Sequence, residues 1–261
     1  WRNIFISLGV IGVIIGFLIY FLTEPARGAF DKKDDANTEQ SKISDIIKLA
    51  FKSITSSRSL WLIMLGGVIG HIPLGVGGFD TVWAVQERGF KEEEYTAIFG
   101  LFFVIGGSIG AIFGGFVGDY FAKRYKAGAM LALIVIYMFL IPMSIYYRFA
   151  SPDSIYFYVA LFLITFQVTV FYGPTFAAVQ SLSPYKVRTS ILAIWILAVN
   201  IVGMGIGSFF TGYLSDTIFA DFKDPLSWST SLMAAFTFLS LLCYHLARKT
   251  YDEDIKKAQL S

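Results

Sequence analysis

The chain has 261 residues, 56% hydrophobic and 15% charged, with a net charge of +2 and a mean hydropathy of +0.64. So small a charged fraction excludes an ordinary water-soluble globule, in which about a quarter of residues are charged. The small net charge excludes a nucleic-acid partner held through its phosphates, and a single cysteine, Cys243, excludes an intrachain disulfide.

A helix needs about 20 apolar residues to cross a bilayer, and seven runs are read as crossings. Residues 4–22 form the first, opened by Trp1 at the interface and closed by Pro25 and Gly28. Trp1 is not an initiator and no secretory leader precedes this helix, so the chain is expected to begin part-way through a longer protein. Residues 31–58 are polar and of mixed charge. Within them, residues 41–54 place Ile43, Ile46, Ile47, Ala50, Phe51 and Ile54 on one helical face, which reads either as an amphipathic helix at a membrane surface or as a partly helical, solvated linker.

The second crossing, residues 60–83, carries Pro73 and a run of glycines at its centre, so a kinked or partly unwound helix is expected there. Irregular backbone at that depth requires a protein or wet surrounding. The third crossing, residues 95–121, repeats glycine every fourth residue at Gly106, Gly110, Gly114 and Gly118, a ridge without side chains against which another backbone can press. It runs into Asp119, Lys123 and Arg124 without a turn. Residues 127–147, 155–179, 191–214 and 232–246 complete the set, the sixth bearing a second small-residue ridge at Gly203 and Gly207. A charged tail, residues 248–261, follows.

Sixteen of the 21 lysines and arginines fall on the face that receives residues 27–58, the turn at 123–126, Lys186, Arg188 and the tail; Arg2, Arg88, Lys91, Arg148 and Lys223 fall on the other. The positive-inside bias makes the first face cytoplasmic, with the amino end outside. The expected fold class is all-α, a polytopic membrane protein with seven transmembrane helices.

Within it, His71 is the one imidazole near the middle of a crossing, a candidate for proton coupling or head-group binding, or else a packed histidine bonded to a carbonyl freed by the helix break. Asp80 reads equally as a cavity or an interface residue. Gln167, Tyr172 and Asn200 are uncharged polar residues inside crossings, either substrate contacts or interhelical hydrogen-bond partners. Phe166, Phe171, Tyr172 and Trp195 add aromatic surface suited to an amphipathic ligand. No metal-ligand cluster, nucleophile elbow or phosphate loop is evident, so neither an enzyme nor a cofactor or metal is expected.

Two architectures fit: a complete seven-helix receptor, or a transporter fragment. A retinal protein requires a lysine in the last crossing, and residues 232–246 have none. The long polar segment after the first helix divides the chain as one plus six. The run Gly115-Phe116-Val117-Gly118-Asp119-Tyr120-Phe121-Ala122-Lys123-Arg124 resembles the Gly-x-x-x-Asp-Arg-x-Gly-Arg-Arg motif of the major facilitator superfamily, with Tyr120 and Ala122 replacing its first arginine and second glycine. Trp1-Arg2-Asn3-Ile4-Phe5 and Glu24-Pro25-Ala26-Arg27-Gly28 look like the opening and close of that family's sixth helix. Tyr172-Gly173-Pro174, the run 183–190, the run 200–203 and Gly212-Tyr213-Leu214-Ser215-Asp216 resemble its Spinster-like branch.

The resemblance implies helices six to twelve of a twelve-helix plan. Residues 1–22 are then the last helix of a first bundle, 23–58 a cytoplasmic linker, 59–247 the second six-helix bundle and 248–261 a cytoplasmic tail. It further implies a secondary active transporter in a bacterial inner membrane. Such a protein moves a small, lipid-like or otherwise amphipathic molecule by alternating access, with that substrate, the bilayer and the missing bundle of the same protein as partners and no nucleic acid. A carrier of small organic anions in the same superfamily and a seven-helix receptor are the alternatives. The glycine ridge is expected to face the missing bundle. Gly115, Gly118, Asp119, Lys123 and Arg124 are expected to act as a conformational latch, Asp119 against a helix dipole of that bundle and the two basic residues bracing the turn; the plainer alternative is a solvated helix end. Asp119→Asn in the full-length protein is expected to impair uptake while leaving membrane insertion intact, and uptake at the normal rate would remove the latch role.

Overall fold

The computed structural model describes residues 2–21 and 43–260, in two units that fall within residues 1–42 and 43–261. The described residues contain helices and no strand. Trp1, the 24–28 motif and most of the linker lie outside them. In the first unit, α1 (Arg2–Tyr20) is apolar over Phe5–Tyr20.

The second unit begins with α2 (Ile43–Ser56), which buries Ala50 and Ile54 and leaves Ile43, Ile47 and Phe51 exposed. Six helical spans long and apolar enough to cross a membrane follow. The first, Arg58–Arg88, comprises α3 (Arg58–Gly70), a 3₁₀ segment (Ile72–Phe79) and α4 (Asp80–Arg88), so the glycine–proline centre does lose its α-helical geometry. Next come α5 (Glu92–Arg124) and α6 (Gly128–Phe149). The fourth span is α7 (Ile155–Val170) with α8 (Tyr172–Leu182). The fifth is α9 (Arg188–Ala198), a π-helical segment (Val199–Met204) and α10 (Gly205–Asp216). The sixth is α11 (Pro225–Ala235) with α12 (Thr237–Ala247), and α13 (Tyr251–Leu260) ends the chain.

The last span starts at Pro225 rather than at 232. Its first turns carry Ser227, Ser229, Thr230 and Ser231, which lower hydropathy but are all buried. Ser229 returns its hydroxyl proton to the Pro225 carbonyl and Thr230 to that of Ser227, so those two side chains sit in the bundle at little polar cost. The charged tail likewise packs: Asp254 on α13 is buried and accepts from Ser57 Oγ at 3.0 Å and Ser59 N at 2.9 Å, placing a carboxylate at the amino end of α3. Beside it, burial pushes the Tyr251 hydroxyl up to about 12, so this anchor of α13 is neutral throughout the physiological range.

The glycine ridge of α5 corrects its expected role. Gly106, Gly110, Gly114 and Gly118 are buried against α7 and the start of α8, inside the same bundle. A Cβ on Gly106 would meet the Thr165 hydroxyl, on Gly110 the Phe166 carbonyl, on Gly114 the Val170 carbonyl, and on Gly118 the ring of Pro174. Small residues let two backbones approach closely, and the nearest surface able to use that ridge is α7. At this separation Thr165 Oγ1 donates to the Phe102 carbonyl at 3.0 Å and Thr169 Oγ1 to the Gly107 carbonyl at 2.6 Å. The face of α5 carrying Ile109, Ile112 and Phe116 is the exposed one.

The second ridge behaves alike. Gly203 and Gly207 press on the Val68 and Ile72 carbonyls of the first span, and Gly75 presses back on the Met204 carbonyl. The 3₁₀ and π segments therefore lie in contact, each meeting protein on the glycine side, as irregular backbone in a membrane requires. Gly114→Ala should destabilise the detergent-solubilised protein by about 1–3 kcal/mol through overpacking on α7, whereas Gly115→Ala, which meets open space, should be nearly neutral. Equal thermal unfolding of the two variants would contradict this seam.

Candidate substrate cavity

A cavity of about 310 Å³ lies inside the six-span unit. The helix break of the first span opens onto it through Gly70, Pro73, Leu74 and Gly77. Apolar walls come from Phe99 and Phe103 of α5, Ile164 and Val168 of α7 and Met204 of the π segment. Polar groups enter from Asp80, Ser144, Arg148, Thr165, Gln167 and Thr230.

The charged end is built on Arg148, in the last turn of α6, which is 8% exposed. Its Nη2 lies 2.7 Å from Asp80 Oδ1, an ion pair joining α6 to the first turn of α4. The guanidinium also lies over the rings of Trp83, at 4.8 Å, and Tyr147, at 5.3 Å, so its faces rest on aromatic surface while its edge meets the carboxylate. The carbonyl of the same residue, unpaired within the helix because α6 ends there, accepts from Arg88 Nε at 3.0 Å and from Arg88 Nη2, with Ser227 Oγ also within reach. Ser227 Oγ in turn receives Trp83 Nε1–H at 2.8 Å. Its single proton has two acceptors in reach, the Arg148 carbonyl at 3.0 Å and Glu87 Oε2 at 2.6 Å; the charged and closer one is favoured.

Glu87 closes the hub by accepting the Leu226 and Ser227 amides at 2.6 and 2.9 Å, which caps α11 from a different span. Asp224 adds a looser ion pair to Arg88 at 3.7 Å. The buried rings of Trp83, Tyr95, Tyr147 and Phe157 surround this end, with the Tyr95 and Tyr147 hydroxyls 3.1 Å apart. The spans carrying Asp80, Arg148 and Ser227 are thus held at fixed separations beside the cavity.

The sequence candidates separate. Asp80 lines the cavity, and so does Gln167, whose Oε1 accepts from Ser144 Oγ at 2.7 Å. His71 and Tyr172 form a different cluster. His71 Nδ1 lies 2.7 Å from the Gly67 carbonyl, which only accepts, so this nitrogen carries the proton and Nε2 receives the Tyr172 hydroxyl at 3.3 Å. With Phe171 edge-on at 4.9 Å, the ring is closed on both nitrogens and is not part of the cavity wall. Asn200 is exposed on the π segment and donates to the carbonyl of Ile196, one turn back. Phe171 and Trp195 are core residues, Trp195 reaching the Met64 carbonyl at 3.1 Å. Asp119, Lys123 and Arg124 are exposed; Arg124 donates to the Tyr120 hydroxyl at 3.1 Å and lies over its ring, so the tyrosine replacing the motif arginine engages the motif's closing base.

The main omission of the sequence reading is Arg148. Counting it among the basic residues of one face treated it as a surface charge. The signal available was its place at the end of an apolar run, directly after Tyr146 and Tyr147, but nothing local placed Asp80 opposite it, 68 positions away.

Residues 1–201 match the profile of the Major Facilitator Superfamily. The chain belongs to this superfamily. Its fold is that of a bacterial homologue of the human lysosomal transporter Spinster. The inward-facing, unoccupied structure matches with a TM-score of 0.70 at 20% identity, covering 97% of this chain and 60% of that one. The inward-facing, occupied structure of such a homologue matches with a TM-score of 0.65 at 18% identity, covering 97% and 59%. The chain thus spans about three fifths of the length of those transporters. No curated protein matches the sequence. As a superfamily member it is a multi-pass membrane protein.

In this superfamily protein the charged hub is a structural tie between spans. Glu87→Ala should destabilise by about 1–3 kcal/mol, because the Leu226 and Ser227 amides lose a half-buried carboxylate acceptor. Hydrogen exchange at those two amides should accelerate before that of α12; unchanged protection would exclude the cross-span cap.

Proposed function

We propose that the protein is a secondary active transporter that moves a small, lipid-like or otherwise amphipathic molecule by alternating access, and that this chain supplies the last helix of one bundle (1–22), the linker (23–58), the second six-helix bundle (59–247) and the tail (248–261). The observation that carries this reading is the cavity inside the six-span unit. It has a buried ion pair at one end, apolar walls, and a first span that abandons α-helical geometry where it meets the cavity. The superfamily assignment supports the transport class. The similar structures of a Spinster homologue, in unoccupied and occupied inward-facing forms, support a cycle in which an occupied site changes its access.

A non-enzymatic role and a bacterial inner-membrane location, with the amino end of the chain outside and its carboxyl end in the cytoplasm, belong to the same proposal. The positive-inside asymmetry supports that orientation. In this reading Asp119, Lys123 and Arg124 are placed to meet groups of the other bundle, since they are exposed at the end of α5.

The test uses the full-length protein in proteoliposomes with Leu74→Cys as its only cysteine, since Leu74 lines the cavity. A membrane-impermeant maleimide should label this site from either side, in proportions that shift when a transported molecule is present. Labelling from one side under all conditions would overturn alternating access at this cavity.

A further inference from the structure

We propose that the Asp80–Arg148 pair is the head-group subsite of this cavity and that it takes a compact zwitterion, the size of an apolar amino acid, with its anionic group on Arg148 and its cationic group on Asp80. The proposal rests on the transporter reading above and narrows its substrate class.

Two atoms of the pair are incomplete. Arg148 Nη2 and Asp80 Oδ1 meet at 2.7 Å as an ion pair, and the buried Oδ1 has no other partner. Arg148 Nη1 is also buried and has no partner. Buried polar groups in native proteins are nearly always satisfied, so an unpaired Arg148 Nη1 donor, beside a carboxylate whose one contact is the ion pair itself, points to a ligand that completes both on this cavity wall.

Charge selects among such ligands. Asp80 and Arg148 are the charged residues among the described residues of the cavity wall, and their sum is zero. Arg88, Glu87 and Asp224 nearby are committed to one another, to the Arg148 carbonyl and to the start of α11. A net anion on Arg148 would meet Asp80 at close range, and a net cation the reverse. Either would carry an uncompensated charge into an apolar enclosure, whereas a zwitterion adds none.

Geometry and size agree. Aromatic rings hold the guanidinium plane and two donors of Arg88 hold its backbone carbonyl, so the fork is pre-set rather than free to follow a ligand. A volume of about 310 Å³ lies at the lower end of small-molecule pockets, which favours a compact body against Leu74, Phe99, Phe103, Ile164 and Val168.

The experiment measures binding to the purified full-length protein by calorimetry with three probes that share a ring: L-phenylalanine, phenylacetate and phenethylamine. Phenylalanine should bind about tenfold or more tightly than either singly charged probe, the loss expected when one charge-assisted bond is missing. Replacing one member of the pair leaves a buried charge and risks misfolding, so the main variant is the neutral double change Asp80→Asn with Arg148→Gln. It should retain the unfolding temperature and lose phenylalanine affinity by about tenfold or more. Equal or tighter binding of phenylacetate or phenethylamine would overturn the zwitterion assignment, and unchanged phenylalanine affinity in a folded double variant would overturn the subsite. Absence of phenylalanine binding in a protein whose Leu74→Cys site still alternates would overturn this proposal and leave the transport reading intact. Binding that requires the pair in a protein labelled from one side only would support the subsite and count against the transport reading alone.

Discussion

A guanidinium buried among membrane-spanning helices must be compensated by protein groups beside it, and this end of the bundle is arranged around that demand. Arg148 meets it with the Asp80 carboxylate on one span and with the rings of Trp83 and Tyr147. Its own carbonyl, left unpaired by the end of α6, is taken by Arg88. Ser227 and Glu87 then fix the start of α11. Removing one member of a buried ion pair generally costs about 3–5 kcal/mol, because the other charge is left without compensation. Such a pair is therefore a firm positional constraint even where its net contribution to stability is small.

The rest of the bundle depends on close backbone approach. Between α5 and α7, glycines remove the side chains that would hold the helices apart, and Thr165 and Thr169 use the resulting proximity to donate into carbonyls of α5. Between the first and fifth spans the same device brings together two segments that are not α-helical, the 3₁₀ run after His71 and the π run around Asn200. The cavity lies beside this junction, with Pro73 from one segment and Met204 from the other in its wall. The irregular backbone of the first and fifth spans is thus adjacent to the space proposed to hold a substrate.

Two kinds of polar residue follow from these constraints. His71, with a carbonyl on one nitrogen and a tyrosine hydroxyl on the other, is complete and belongs to the packing of the helix break. Asp80 and Arg148 are incomplete, and they lie on the cavity wall. At sequence level the histidine draws attention because imidazole is rare in a crossing, while the arginine passes for an ordinary helix end. Satisfaction of hydrogen bonds, which only three dimensions reveal, reverses that order.

The sequence by itself determined the membrane class, the all-helical fold, the helix break at Pro73 and the superfamily resemblance. Each of these is a local property: hydropathy over a window, a proline that cannot donate, or a motif of adjacent residues. The glycine spacing of α5 likewise showed that a backbone would press close, but not which one. Only the tertiary structure decided that the partner is α7 rather than a missing bundle, that the serine-rich start of the last span is buried, and that Arg148 faces Asp80. The reason is physical: a glycine ridge or a charged side chain carries no record of its partner, and partners 50 to 150 positions apart are selected by packing and by the need to satisfy buried polar groups, both of which act on the folded bundle as a whole.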